Sequence, residues 1–160
     1  MKKILVEDAD VNKCAPYGTY IDLTSYSKFT GDGWECWMTE GLCVEGYSGL
    51  AICSSEYVQP FEISYMEKCN TQKMIICGEQ NLIVTVSQKT DSMKPDYESI
   101  RAFRMKPGSI FILHPGVWNG AFAGESVFVE YCMLTGDNEI GSRKRFIKLN
   151  GEPVQICCTK

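Results

Sequence analysis

The chain has 160 residues, of which 44% are hydrophobic and 22% charged, a composition typical of a globular protein. This length predicts one domain over residues 1–160, large enough to bury a core of its own. The net charge of −4 argues against nucleic acid or an anionic membrane as a partner, since both bind basic surfaces. No apolar run approaches the ~18–20 residues that span a bilayer.

The start of the chain and the cysteines bear on the cellular compartment. Met1–Asp8 turns acidic too early for a signal peptide, so a cytoplasmic protein is expected. The nine cysteines are odd in number and none forms a Cys-x-x-Cys pair. They are therefore interpreted as reduced thiols in a reducing compartment.

The predicted elements are mostly short strands. A short helix is expected near Asp8–Cys14, with Asp8 as its N-cap and Pro16 ending it. Residues 30–49, rich in glycine and aromatic residues, predict a partly ordered excursion, and residues 88–98 an exposed loop. Strand-like runs separated by turn residues predict an all-β sandwich or barrel. These runs are Tyr20–Leu23, Leu50–Cys53, Phe61–Glu67, Lys73–Cys77, Leu82–Ser87, Ile100–Met105, Ile110–Leu113, Val127–Met133 and Arg145–Leu149.

Side-chain alternation identifies two carboxylates that could lie inside the barrel. In the strand that begins at Phe61, the more apolar face also carries Tyr65, Glu67 and Cys69. An inward carboxylate at Glu67 must be paired, bound to metal or protonated. Alternatively, the strand leaves the barrel there and Glu67 lies at a solvated rim. Glu130 is a second candidate, on the face opposite to Tyr131 and Met133.

The only histidine follows a buried strand. His114 shares a face with Ile110 and Ile112, and the turn residues Pro115 and Gly116 come directly after it. This placement predicts a side chain at the mouth of a pocket. Alternatively, the imidazole only satisfies a carbonyl group of the loop. A single histidine excludes a metal site built from two histidines.

Three segments in this order resemble the ureidoglycolate lyase family. They are Glu67–Gln72 (Glu-Lys-Cys-Asn-Thr-Gln), Pro95–Phe103 with its Ile-Arg-Ala-Phe end, and His114–Asn119 (His-Pro-Gly-Val-Trp-Asn). The early Pro16-Tyr17-Gly18 is also similar to the family's opening. The resemblance implies a cupin-type double-stranded β-barrel (jelly roll), here with a short N-terminal helix. It also implies a homodimer and an enzyme of allantoin catabolism, a part of purine metabolism, that splits ureidoglycolate into glyoxylate and urea.

The resemblance, together with the chemistry of this reaction, assigns roles to residues. Arg101 would hold the substrate carboxylate, since a guanidinium group matches it with two hydrogen bonds. His114, Glu67 and Glu130 would move protons, because burial can tune each of them towards neutral pH. Each role has a structural alternative, such as an outward position for Arg101 and a core position for Trp118. The substrate-binding side chains would be Tyr65, Gln72, Trp118 and Asn119.

The chain departs from the family pattern where a metal would bind. Cys69 and Asn119 stand where the family has histidine, so the ring around a divalent metal would be Glu67, Cys69, Gln72 and Asn119. Amide oxygens are poor ligands for nickel, zinc or iron. Two functions therefore stay open. One is a lyase, or a relative acting on another small 2-hydroxy or 2-oxo acid. The other is a non-catalytic cupin that binds a small ligand without metal.

Overall fold

The structure is a computed structural model that describes residues 1–40, 42, 49–136 and 146–158. A four-residue helix, α1 (Val11–Cys14), and two 3-10 turns (Leu23–Ser25 and Tyr97–Ser99) accompany the strands. Within these ranges, no helix is long and apolar enough to cross a membrane. The strands are β1 (Lys2–Asp8), β2 (Gly18–Asp22), β3 (Lys28–Gly31), β4 (Trp34–Trp37), β5 (Gly49–Ser55), β6 (Phe61–Ile63), β7 (Tyr65–Lys68), β8 (Lys73–Cys77), β9 (Leu82–Ser87), β10 (Arg101–Met105), β11 (Ser109–Leu113), β12 (Trp118–Gly124), β13 (Val129–Thr135), β14 (Phe146–Lys148) and β15 (Val154–Cys157).

Two sheets carry the core, and β3 and β4 pair separately as a hairpin. The larger sheet has the order β14-β7-β12-β9-β10-β1-β15-β6, and the smaller has the order β2-β11-β8-β13-β5. Only Ser64 separates β6 from β7, although these strands lie near opposite ends of the larger sheet. The larger sheet must therefore curl until its two ends approach each other.

The main core lies between the two sheets, and β9 shows how alternation builds it. Leu82, Val84 and Val86 face the smaller sheet, while Ile83 packs on the other face of its own sheet, in a second cluster with Ile4 and others. Both faces of β9 are buried, as its nearly continuous apolar sequence predicts.

The inner face of the smaller sheet has two different sides. On the filled side, formed by β2, β11 and β8, the large side chains Tyr20, Phe111 and Leu113 pack against Phe103 and others on β9 and β10. Aromatic edge contacts join Phe111 to both Tyr20 and Phe103. On the open side, formed by β13 and β5, several side chains on the inner face are smaller or more polar. A cavity remains there.

The predicted all-β architecture with a short N-terminal helix is confirmed, with a corrected cap. The helix begins at Val11, and Asp10 rather than Asp8 caps it, because the Asp10 carboxylate accepts hydrogen bonds from the backbone N–H groups of Asn12 (2.8 Å) and Lys13 (2.9 Å). Asp8 instead ends β1.

Most of the predicted strands form, with small shifts of their ends. The run Phe61–Glu67 divides at Ser64, because β6 pairs with β15 whereas β7 pairs with β12 and β14. The sequence did not predict β1, β12 or β15. Part of the expected excursion forms β3 and β4, while Gly41, residues 43–48 and Arg145 lie outside the described residues.

Candidate functional site

A cavity of about 570 Å³ lies on the open side, between β5, β13 and the first residue of β8 (Lys73) in the smaller sheet and β6, β7 and β12 of the larger one. The inner residues of β5 are small, which leaves this volume unfilled. Aromatic and aliphatic side chains on its wall include Tyr57, Ile63, Phe122 and Met133. The polar side chains on the wall are Cys53, Ser54, Ser55, Glu62, Ser64, Glu67, Lys73, Asn119 and Thr135, together with the hydroxyl groups of Tyr57, Tyr65 and Tyr131.

The most strongly polar part of the wall is a buried ion pair. The Lys73 ammonium contacts the Glu67 carboxylate, and the two residues are only 2% and 8% exposed. The ammonium also donates a hydrogen bond to Asn119 Oδ1 at 3.2 Å. Charges at this depth are stable only when they are paired and hydrogen-bonded. Each of these two residues therefore depends on the other.

Asn119 links the ion pair to the backbone of β7. It lies directly opposite Glu67 in the antiparallel pairing of β12 with β7. Its Nδ2 donates to the Glu67 carbonyl oxygen and to Cys69 Sγ, both at 3.2 Å. The amide thus presents its oxygen to Lys73 and its nitrogen to β7, which fixes its orientation.

Cys53 and Tyr131 form a second polar group on the same wall. They are direct partners in the pairing of β5 with β13, and each side chain is close enough to affect the pKa of the other. Burial raises the pKa of the Tyr131 phenol above its usual range, and the nearby Cys53 adds to this shift. Burial also raises the pKa of the Cys53 thiol. Both groups are therefore uncharged at neutral pH.

A β-bulge shapes the wall where β7 leaves β12. After Asn119 the register of β12 with β9 shifts, so that Gly120 and Ala121 both fall opposite Thr85. Thr85 Oγ1 donates to the Ala121 carbonyl oxygen at 2.9 Å, which holds the bulge. Across the cavity, Ser55 Oγ donates to the Phe122 carbonyl oxygen at 2.7 Å and ties β5 to β12.

Some residues predicted from the sequence are in or beside this cavity. Glu67 is buried and paired, as its inward position predicts, and Asn119 and Tyr65 also line the wall. Cys69 is buried next to Asn119. Gln72 is half-buried immediately before β8 and is not among the lining residues.

The expected meeting of Arg101 and His114 with Glu67 in one pocket is not observed. Arg101 is exposed at the start of β10, where its guanidinium donates to the carbonyl oxygens of Glu98 (3.1 Å) and Ile100 (2.8 Å). His114 is exposed because β11 ends at Leu113, so strand alternation no longer sets its direction.

Two further residues point away from the predicted site. Glu130 is exposed, because Val129 and Tyr131 on either side of it take the inner face of β13. Trp118 is 1% exposed and belongs to the core cluster on the other face of the larger sheet, where its indole N–H donates to Thr90 Oγ1 at 3.1 Å. It is therefore a core residue and not a wall of the cavity.

The proposed metal ligands do not fit a divalent metal. The Lys73 ammonium already pairs with the Glu67 carboxylate, and the Asn119 amide turns its N–H group towards Cys69 Sγ. A second cation beside Glu67 would meet the charge of Lys73 at close range. Across the described ranges, no group of three or more His, Cys, Asp or Glu side chains is arranged to hold a metal ion.

The sequence reasoning missed Lys73, Cys53 and Tyr131 as site residues. A signal for Lys73 was present, because it shares one face of an apolar strand with Ile75 and Cys77. Counting along that face places the lysine inside. Cys53 and Tyr131 carried no such signal, since their meeting depends on the pairing of strands far apart in the sequence.

Comparison with known proteins identifies the fold. No family model matches the chain, and no curated protein does. A solved structure of dTDP-4-dehydrorhamnose 3,5-epimerase from Elizabethkingia anophelis NUHP1 matches 76% of this chain and 70% of its own, with a TM-score of 0.55 and 10% identity. RmlC from Streptococcus suis in complex with dTDP-D-xylose matches 64% of this chain and 50% of its own, with a TM-score of 0.42 and 14% identity. The first likeness supports the predicted cupin-type β-barrel fold and nothing finer.

Proposed function

We propose that the cavity binds a small, uncharged molecule rich in hydroxyl groups, of the size of a short polyol or a monosaccharide. Its volume of about 570 Å³ is in the usual range of small-molecule sites and leaves room for such a ligand. The observation that carries the proposal is the buried ion pair of Glu67 and Lys73 on the cavity wall.

The ion pair selects against charged ligands because its two charges cancel. An anion drawn to Lys73 would stand beside the carboxylate of Glu67, and a cation would stand beside the ammonium of Lys73. A hydroxyl group suits both, since it donates to a carboxylate and accepts from an ammonium. The pair therefore favours neutral ligands that can both donate and accept hydrogen bonds.

The rest of the wall fits the carbon skeleton of such a ligand. Tyr57, Ile63 and Phe122 offer aromatic and aliphatic surface for C–H groups. Cys53 and Tyr131 add uncharged polar groups. A few polar anchors on a largely apolar wall are the usual composition of a small-molecule site.

Calorimetric titration with matched ligands tests this function. Erythritol and glucose are compared with erythronate and gluconate, which have similar skeletons but carry a carboxylate. We expect the neutral compounds to bind about tenfold more tightly, a difference of about 1.4 kcal/mol. Glu67→Gln leaves Lys73 without its counter-charge and should reverse the preference. Equal or tighter binding of the carboxylates by the unmodified protein would refute the proposal.

A ureidoglycolate lyase is the second candidate, favoured by one observation. Glu67 and Asn119, from two of the segments that resemble this family, both line the cavity. Purified protein, stripped of metal or reloaded with nickel, manganese or zinc, would be given racemic ureidoglycolate and followed for glyoxylate. Release above the uncatalysed rate that is lost in Glu67→Gln would support this candidate. Absence of release under every condition would rule it out.

A further inference from the structure

We infer that Lys73 forms a reversible imine with a carbonyl compound held in the cavity, such as the open-chain form of a small hydroxyaldehyde or hydroxyketone. This inference rests on the proposed function, because it requires that the cavity admits a hydroxylated ligand. It assigns Lys73 a covalent role in addition to hydrogen bonding.

The position of Lys73 distinguishes it from the other lysines. It is the only buried lysine among those the structure describes, and it also lines the cavity. Its Nζ is held by the hydrogen bond to Asn119 Oδ1 at 3.2 Å. A carbonyl compound in the cavity would therefore meet an amine with a fixed position.

The contact with Glu67 supplies the proton acceptor that the reaction needs. A lysine attacks a carbonyl group only as the neutral amine, and burial disfavours its charged form. Transfer of one proton from the Lys73 ammonium to the Glu67 carboxylate gives a neutral amine beside a neutral acid. Burial of the pair lowers the cost of this exchange, since it removes two buried charges together.

The bond changes balance without a further reagent. The amine nitrogen of Lys73 attacks the carbonyl carbon, and the carbonyl oxygen takes the proton held by Glu67. The nitrogen then returns one proton to Glu67, which passes it to the new hydroxyl group. That group leaves as water while the carbon–nitrogen double bond forms. One amine, one carboxylic acid and one carbonyl group thus give one protonated imine beside the Glu67 carboxylate and one water, and hydrolysis reverses the step.

Reductive trapping tests the inference. The 160-residue protein is incubated with D-erythrose and sodium cyanoborohydride, which fixes an imine as a stable amine, and peptide mapping measures the modification of each lysine. We expect Lys73 to be modified about tenfold faster than Lys68, a half-buried lysine outside the cavity whose Nζ donates to the Thr90 carbonyl oxygen. Erythritol, which lacks the carbonyl group, should slow modification of Lys73 alone.

Two variants and a separate binding measurement make the outcome decisive. Lys73→Arg keeps the positive charge beside Glu67 but cannot form an imine, so it should lose the fast modification. Lys68→Arg should leave the rate at Lys73 unchanged. If Lys73 reacts no faster than Lys68 while erythritol still binds by calorimetry, the imine inference is overturned and the proposed function stands. If erythritol does not bind and Lys73 is not modified, both fail.

Discussion

On both the filled side and the open side of the smaller sheet, alternate side chains point towards the larger sheet. Only the filled side is closely packed, whereas the open side keeps a cavity. On the filled side, Tyr20, Phe111 and Leu113 project inwards and leave no space. On the open side, Cys53 and Ser55 project inwards from β5 and are too small to fill the space between the sheets, although Ser55 contacts the backbone of β12. The comparison shows that the open space arises from the small side chains on an edge strand of the smaller sheet.

The two sides also differ in what stabilises them. Burial of apolar area on the filled side contributes directly to folding. The ion pair on the open side contributes little, since removing two charges from water offsets most of their attraction. Residues on the filled side should therefore control stability, and residues on the open side should control binding.

The largest expected effect tests the filled side. Phe111→Ala removes a fully buried ring and should lower the free energy of unfolding by about 3–5 kcal/mol. Urea denaturation measures this loss, and binding of erythritol below the unfolding transition should be unchanged. Ile52→Ala, which truncates a side chain that is 80% exposed, serves as the control. Loss of erythritol binding in folded Phe111→Ala would break the distinction between the two sides.

The next effect concerns the ion pair. Lys73→Met leaves the Glu67 carboxylate buried without its counter-ion and should lower the free energy of unfolding by about 3 kcal/mol. Adding Glu67→Gln should restore much of this loss, because no charge is then left unpaired. Neither variant should bind erythritol, as judged by calorimetry. A double variant as unstable as the single one would show that the pair itself stabilises the fold.

The free energy of unfolding should depend on pH through two buried cysteines on the filled side. Burial raises the pKa of the Cys14 thiol to about 12 and that of Cys77 to about 11, from an ordinary value of 9.0. The contribution of these two protonated thiols to the free energy of unfolding is complete below pH 9. It is lost as the pH rises towards 11–12, because the unfolded chain then binds fewer protons than the native state. Urea denaturation under reducing conditions between pH 8 and pH 11 should show this fall. The fall in the free energy of unfolding should be smaller in Cys77→Ala.

The smallest effect tests the residues that the family resemblance placed in the site. Arg101→Ala and His114→Ala alter exposed side chains and should change the free energy of unfolding by no more than about 0.5 kcal/mol. Erythritol titration should give the affinity of the unmodified protein in both. A clear loss of affinity in either variant would place the functional residues outside the open side.

Alternation along single strands could predict much of this structure. The face shared by Ile110 and Ile112, and the inward position of Glu67, both follow from counting residues in a strand. The same counting fails at His114, because a turn begins there and the backbone no longer alternates. The pairing of Lys73 with Glu67 was not predictable in this way, since each lies on a different sheet and only the tertiary fold joins them.

The bulge in β12 has a consequence for any attempt to change this protein. By inserting one residue between Asn119 and Phe122, it reverses the alternation of the strand, so that both side chains point to the same side of the sheet although Phe122 comes three positions after Asn119. If β12 paired with β9 as a regular ladder through both Gly120 and Ala121, either the amide or the ring would turn to the other face. The polar anchor and the apolar wall share one face because of the bulge, and the register of this strand is as much a part of the site as its side chains.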